Sequence, residues 1–333
     1  MQKQERKFIM FKRLLMILTM SQIAQNKEDQ DISKSGIQLP PLLVGIIPII
    51  LAVINLHLLS QAKDEAQLGL SALFFFAVGS MIWDKRKSLS LYTDKISIVL
   101  GILMIVGMLS QSFDVEPTKT ISIYRIFPFL IAIASGLIAS GFKGLKQYKI
   151  EIMILFFLGI PSYILVYANQ YGIMHLGALT APSSAFMLTY IGYEVELVEK
   201  VYIYLPGGAV HVDWSCAGAD LICYMLAMGV LTVSMFPIRK KYNLPVISFA
   251  VFLAFIVNSM RVALMAILVA AGEDEAFKFM HEGNGSLVFG VICVCLFGGS
   301  YWLLMNYEDK RKQDKLDSSP DNNLSPLQKD SFF

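Results

Sequence analysis

Apolar residues recur along this chain in long runs that short polar stretches separate. A helix of about 20 apolar residues can cross a bilayer, because it rises 1.5 Å per residue and the hydrocarbon core is about 30 Å thick. The pattern therefore predicts an all-α polytopic membrane protein with about eight transmembrane helices. We place these spans at Pro41 to Ser60, Leu68 to Trp83, Ile96 to Ser112, Ile121 to Phe142, Glu151 to Ala168, Cys216 to Phe236, Leu244 to Ala271 and Ser286 to Tyr307.

The composition agrees with a membrane class. Hydrophobic residues make up 55% of the chain and charged residues 16%, and the mean hydropathy is +0.57, which is more apolar than soluble domains. We predict one membrane-embedded domain over residues 40–307, a cytoplasmic or interfacial segment over 1–39 and a disordered cytoplasmic tail over 308–333. Within the first segment, Phe8 to Met20 predicts an interfacial helix in preference to a signal peptide.

Lysine and arginine alternate between rich and poor connections along the predicted spans. Because basic loops are retained in the cytoplasm, this alternation predicts an even number of spans with both termini cytoplasmic. The connection from Asn169 to Ser215 then lies on the outer side. The rich connections hold Lys85, Arg86, Lys87 and Lys95, then Lys143, Lys146 and Lys149, then Arg239, Lys240 and Lys241, whereas the poor ones hold Lys63, Lys119, Lys200 or Lys278.

The long outer connection is large enough to hold structure of its own. Ala178 to Tyr193 predicts a re-entrant or surface-lying helix. Val201 to Leu205 and Ala209 to Asp213 alternate β-branched and aromatic residues around a Pro-Gly-Gly turn, which predicts a short β-hairpin. The second arm of this hairpin leads directly to Cys216.

Cys216 is placed at the predicted N-terminus of the sixth span. Backbone N–H groups at a helix N-terminus favour an anion, so a stabilised, nucleophilic thiolate is expected there. The alternative is an inert cysteine buried in apolar packing. Cys293 and Cys295 are two residues apart on different faces of an apolar helix, so no metal pair is expected.

Arg261 and His281 are the other unusual residues. An arginine inside an apolar span costs several kcal/mol unless it faces a partner or a wet cavity. The structural alternative is an arginine that pairs with carbonyls or snorkels. Asn258 lies one turn earlier on the same face. The predicted topology puts His281, otherwise an ordinary loop histidine, on the same outer side as Cys216. Together the three provide a nucleophile, a general base and a carbonyl or oxyanion stabiliser for acyl transfer.

Rival residues lie near the same end of the protein. His211, five residues before Cys216, stays an alternative base although the strand directs it to the other face. Asp213 and Asp220 suit orientation or substrate contacts, because a carboxylate raises a thiol pKa. Arg125, near the outer end of the fourth span, is expected to line the same cavity or to snorkel.

Three short motifs resemble those of the exosortase/archaeosortase family. Cys216-Ala-Gly218 resembles the Cys-Ser-Gly nucleophile motif, with alanine where serine is commoner. Asn258-Ser-Met-Arg261 resembles the Asn-x-x-Arg segment, and His281-x-x-x-Gly285 resembles His-x-x-x-Gly. The Val-Asp-Trp-Ser-Cys context is similar to that of cyanobacterial members. The motifs occupy the last third of the chain, in the family's order.

The resemblance implies a cysteine protease or transpeptidase of the bacterial inner membrane, with its active site facing the periplasm. Its partners would be membrane lipid and secreted precursors that end in a Pro-Glu-Pro-type motif, a hydrophobic helix and basic residues. It also implies roles for Cys216 as nucleophile, His281 as base and Arg261 as carbonyl stabiliser. No cofactor, metal or nucleic-acid partner is expected.

A transporter or channel is the alternative function. In it, Arg261 would bind an anion in a cavity, and Cys216 would be incidental. Sequence repeats or broken helices would favour this hypothesis, and neither is evident. A scaffold without chemistry would leave Arg261 unexplained, and motifs of other intramembrane proteases are not found.

Overall fold

The computed structural model describes residues 37–111, 123–171, 175–282 and 285–317. The predicted interfacial helix over residues 8–20 and the last residues of the tail, 318–333, lie outside this part. In the described part the chain forms ten α-helices and five short strands. The helices are α1 (Pro41–Gln61), α2 (Glu65–Asp84), α3 (Lys95–Ser110), α4 (Phe127–Gly144), α5 (Lys149–Gln170), α6 (Gly177–Tyr190), α7 (Ala219–Met235), α8 (Asn243–Ala270), α9 (Asp274–Glu282) and α10 (Gly285–Asp317), and the strands are β1 (Ile37–Gln38), β2 (Tyr92–Thr93), β3 (Glu196–Val198), β4 (Tyr202–Leu205) and β5 (Gly208–His211).

Five helical segments of the described part are long and apolar enough to cross a membrane. One of them, Phe127–Ala168, covers two predicted spans, because α4 continues into α5 through a 3-10 turn at Leu145–Tyr148. A kink at Gly141 lies within α4. The helices α3 and α7 are apolar but shorter. Each predicted span thus coincides with a helix and the chain is a multi-pass membrane protein, whereas the count of eight crossings and the side of the termini stay predictions.

Large apolar side chains on the helix surfaces fit a lipid environment. Leu42 on α1, Phe76 on α2 and Ile96 on α3 are 74%, 78% and 69% exposed. Exposed apolar surface on this scale is unfavourable in water and ordinary against acyl chains.

The described residues within Met1–Asp64 and Phe75–Met153 form one compact unit. Within it, α4 packs against α1 and α3. Arg125, just before α4, is buried and its Nε donates a hydrogen bond of 2.9 Å to Asp64 Oδ2. Lys85 pairs with buried Glu151 at 2.8 Å. Arg125 therefore has an acidic partner within its own unit, and its expected role near Cys216 stays a prediction.

The described residues within Glu65–Phe74 and Ile154–Phe333 form the second unit, in which α8 is central. It packs against α6, α7, α9, α10 and the strands β4 and β5. The predicted hairpin is present as β4 and β5, paired from Tyr202 and His211 to Leu205 and Gly208. A third antiparallel strand, β3, lies on the other side of β4 and was not predicted. The apolar residues Ile203, Leu205, Val210 and Val212 from this sheet form a core with α6 and α8.

The last helix is longer than the predicted span. It continues past Tyr307 to Asp317, through a charged segment rich in Lys, Arg and Gln that favours helix. Near this end Arg239 pairs with the buried Glu308 at 2.9 Å. Part of the segment predicted as a tail is thus helical.

Candidate active site

Cys216 lies in a turn that connects the β-hairpin to α7. The helix begins at Ala219, three residues later than predicted, so Cys216 precedes it. The backbone N–H of Cys216 donates to the Asp213 side chain at 3.1 Å, and Ser215 Oγ donates to the same oxygen at 2.7 Å. Asp213 therefore shapes the turn that presents the thiol.

Gly218 is required in this turn for two reasons. Its φ of +85° is a left-handed conformation that side chains other than glycine rarely adopt. A Cβ at this position would also clash with the side-chain amide of Asn258. That amide donates a hydrogen bond of 2.9 Å to the Cys216 carbonyl. The glycine thus lets α8 approach the Cys216 turn closely enough to hold it.

A second helix holds the same turn from another side. Thr180 Oγ1 on α6 donates to the Ala217 carbonyl at 2.9 Å, and Ser184, one turn later, donates to the Ser259 carbonyl at 2.9 Å. Both hydroxyls are fully buried. Sequence reasoning missed this pair, although two polar residues four positions apart in an apolar helix indicate a shared buried face.

His281 contacts the thiol from the end of a short helix. Its Nδ1 lies 3.1 Å from Cys216 Sγ, and its ring stacks on Phe277 at 5.4 Å between centroids. It lies near the end of α9, a helix that was predicted only as a loop or a first turn. Gly285 follows, and a Cβ there would lie 2.8 Å from the Phe279 carbonyl oxygen. The glycine of His-x-x-x-Gly therefore permits a tight return of the chain after the histidine.

Arg261 is buried on α8 with 7% of its surface exposed. Its Nη1 donates a hydrogen bond of 2.7 Å to Ser286 Oγ. Its Nε is buried and has no hydrogen-bond acceptor among the described residues. The guanidinium is close enough to Cys216 to lower the pKa of that thiol. The structure therefore brings Cys216, Arg261 and His281, and the supporting Gly218, Asn258 and Gly285, into one region.

The balance of effects on Cys216 differs from the sequence-based expectation. Burial is the largest effect and raises the pKa of the Cys216 thiol; a hydrogen bond with Ser215 lowers this pKa, the Asp213 carboxylate raises it and Arg261 lowers it, and the pKa is raised overall. The helix starts at Ala219, after Cys216, and the direction of the shift is opposite to the predicted stabilisation of a thiolate by the helix N-terminus. For Asp213, partial desolvation raises the pKa, but hydrogen bonds from Ser215 and Cys216 outweigh it and leave the pKa lowered. The resting site thus favours a neutral thiol beside an ionised carboxylate.

Two of the rival residues, His211 and Asp220, contact other groups. His211 is exposed on β5 and stacks on Tyr202 at 4.5 Å between ring centroids. Asp220 accepts a hydrogen bond of 3.2 Å from Ser162. Over the described ranges, no group of three or more His, Cys, Asp or Glu residues has the arrangement of a metal site.

The raised thiol pKa predicts the pH dependence of alkylation. In a variant whose other three cysteines are serine, the rate of reaction of Cys216 with iodoacetamide should rise about tenfold per pH unit above pH 7, because the thiolate reacts. It should level off above the ordinary cysteine pKa, since the folded protein raises that pKa. Asp213→Asn should lower the inflection and Arg261→Gln should raise it. An inflection below pH 7 would instead indicate a resting thiolate–imidazolium pair.

The sequence of this chain matches that of a known protein family. The model for transmembrane exosortases matches residues 61–298. The chain belongs to the transmembrane exosortase family. This exosortase is also 27% identical, over 155 residues, to the "Probable archaeosortase E" of Methanocaldococcus jannaschii. The aligned residues are 46% of this chain and 79% of that relative. No solved structure matches it. Residues 61–298, which the family model matches, include all three motifs of the candidate site.

Proposed function

We propose that this exosortase is a cysteine transpeptidase or protease that processes secreted precursors at a C-terminal sorting signal. The observation that carries the proposal is the 3.1 Å contact between Cys216 Sγ and His281 Nδ1, with the buried Arg261 beside it. A thiol in contact with a base and next to a fixed cation has the parts needed for acyl transfer. Family membership supports a protein-sorting role at the membrane.

The chemistry would begin from the neutral thiol. As Sγ attacks the scissile carbonyl carbon, its proton passes to His281, and the carbonyl electron pair moves onto oxygen, where Arg261 stabilises the negative charge. The intermediate then collapses and the C–N bond breaks, while His281 returns the proton to the leaving amine. A thioester to Cys216 is left. Water releases the product as an acid, whereas an amine releases it as an amide.

The position of the site suits a substrate that is itself anchored in the membrane. Cys216 lies in the turn before α7, after an extramembrane sheet, and the predicted topology puts this end on the periplasmic side. A precursor whose C-terminal hydrophobic helix spans the bilayer would present the bond before that helix at the same level. We infer that the signal helix and its basic end hold the substrate, while the preceding motif enters the site.

Trapping by a substrate-derived electrophile tests this proposal. The new C-terminus of a processed precursor with a Pro-Glu-Pro-type signal is first mapped by mass spectrometry. A peptide chloromethyl ketone that ends at this residue is then added to membranes. We expect a covalent adduct on Cys216 and none on Cys295, which is exposed on α10. Labelling of Cys295 alone would contradict the assignment of the nucleophile, and lack of any processed precursor would contradict the function.

A further inference from the structure

The polar partner of Arg261 is a serine. The Nη1 of Arg261 donates to Ser286 Oγ at 2.7 Å. The ion pairs of the described residues do not include Arg261. Buried arginines are usually paired with acids, because an uncompensated buried charge is costly. Here a neutral hydroxyl orients the guanidinium and leaves its positive charge available to a further group.

The geometry of arginine makes this single bond informative. A guanidinium is a planar fork whose five N–H groups point in fixed directions. A hydrogen bond at Nη1 therefore restrains the plane of the group and, with it, the direction of Nε–H. This Nε is buried and has no acceptor within the described residues. Leaving a buried donor unpaired costs about 1–3 kcal/mol, which a substrate oxygen would recover.

Ser286 is also tied to the position of the catalytic histidine. It is the second residue of α10 and directly follows Gly285, whose tight packing against Phe279 and Met280 brings the chain back after His281. The packing of Gly285 against Phe279 and Met280 thus ties the start of α10, with the serine hydroxyl at Arg261, to the helix that holds the imidazole at Cys216.

We propose that Ser286 is a positioning residue for acyl transfer. Its hydroxyl fixes the Arg261 guanidinium so that Nε–H faces the oxygen on which negative charge develops. This inference rests on the proposed function. Because the bond acts through Arg261 on that charge, loss of the hydroxyl affects the transition state more than the bound substrate, and kcat falls while KM stays nearly unchanged.

Binding of a transition-state analogue tests the inference. A peptide aldehyde with the mapped cleavage-site sequence forms a C–S bond with Cys216, and its carbonyl oxygen takes the place of the oxyanion. The matching peptide alcohol forms no such bond. For Ser286→Ala we expect about 10- to 100-fold weaker aldehyde binding, the size expected for a misplaced stabilising group, with unchanged alcohol binding. Ser286→Thr keeps the hydroxyl and should bind the aldehyde like the wild type, as should Ser300→Ala, a control further along α10.

Several results would overturn the inference. One is that Ser286→Ala binds the aldehyde as tightly as the wild type does. Another is that Ser286→Thr and Ser286→Val weaken aldehyde binding equally, because valine has the shape of threonine without its hydroxyl. If Ser286→Ala does not fold, it will also lose binding of the alcohol. The comparison of Ser286→Thr with Ser286→Val then takes its place. A further weakening by Ser286→Ala in an Arg261→Gln background would show that the hydroxyl does not act through Arg261. If the wild type itself bound aldehyde and alcohol equally, the cysteine mechanism would fail, and with it this role.

Discussion

Replacing Cys216 with alanine or serine is expected to reduce precursor processing by at least about a thousandfold, because no other group can form the acyl-enzyme. Serine keeps nearly the same shape, but its hydroxyl is far less acidic than a thiol. Cys216 contacts His281 and lies in a turn that Asn258 and Thr180 hold through backbone carbonyls. The fold should therefore tolerate either substitution. The measurement is the mature-to-precursor ratio of a tagged precursor in cells.

Cys295→Ser is the matched control for this experiment. Cys295 is exposed on α10, so this variant should process precursor at the wild-type rate. The two Cys216 variants should also accumulate to wild-type levels and show the same thermal unfolding. Normal processing by Cys216→Ala would rule out the covalent mechanism and would favour the transporter hypothesis, in which Arg261 alone matters.

Replacing His281 with alanine should slow processing by about 10²- to 10⁴-fold, the range for loss of a general base. The thiol pKa is raised by burial, so few thiolates exist near pH 7 and the imidazole must accept the proton during attack. The variant should therefore recover activity as the pH increases, because hydroxide then ionises the thiol. Added imidazole should restore part of the rate at pH 7. Initial rates across a pH series provide the test.

His211→Ala is the matched control, since this ring is exposed and stacks on Tyr202. Its removal should change processing by less than about threefold, as surface substitutions away from packed contacts usually have small effects. The opposite pattern, with a large loss in His211→Ala and near-normal activity in His281→Ala, would assign the base to the hairpin. That outcome would require the hairpin to move before catalysis.

The positions of the helices and of the hairpin could be predicted from the sequence, because they depend on the length of apolar segments and on turn residues. Spans such as Pro41 to Ser60 are apolar over the length of a bilayer, and the structure has helices at each of these places. The hairpin was predictable because its Pro-Gly-Gly turn separates two alternating segments. The strand β3 was not, because Glu196 to Val198 is too short to show a periodicity.

Details of the site depended on packing that the sequence does not display. The start of α7 at Ala219 instead of Cys216 follows from the left-handed Gly218 and the close approach of Asn258. The short α9 has acidic residues in its first turn and His281 in its last, an arrangement favoured by the helix dipole, yet the sequence pattern predicts only a loop or a first helical turn there. The hydroxyls of Thr180 and Ser184 bind carbonyls of Ala217 and Ser259. These contacts depend on the packing of α6 against α8, which the sequence does not show.

The raised thiol pKa has a consequence for the life of the enzyme between reactions. Oxidants attack the thiolate form of cysteine and convert it to sulfenic acid and disulfides. On the periplasmic side, where we propose that the site lies, disulfides form readily. A buried Cys216 whose raised pKa keeps it mostly protonated offers little thiolate to oxidants, so we expect the resting thiol to be oxidised slowly.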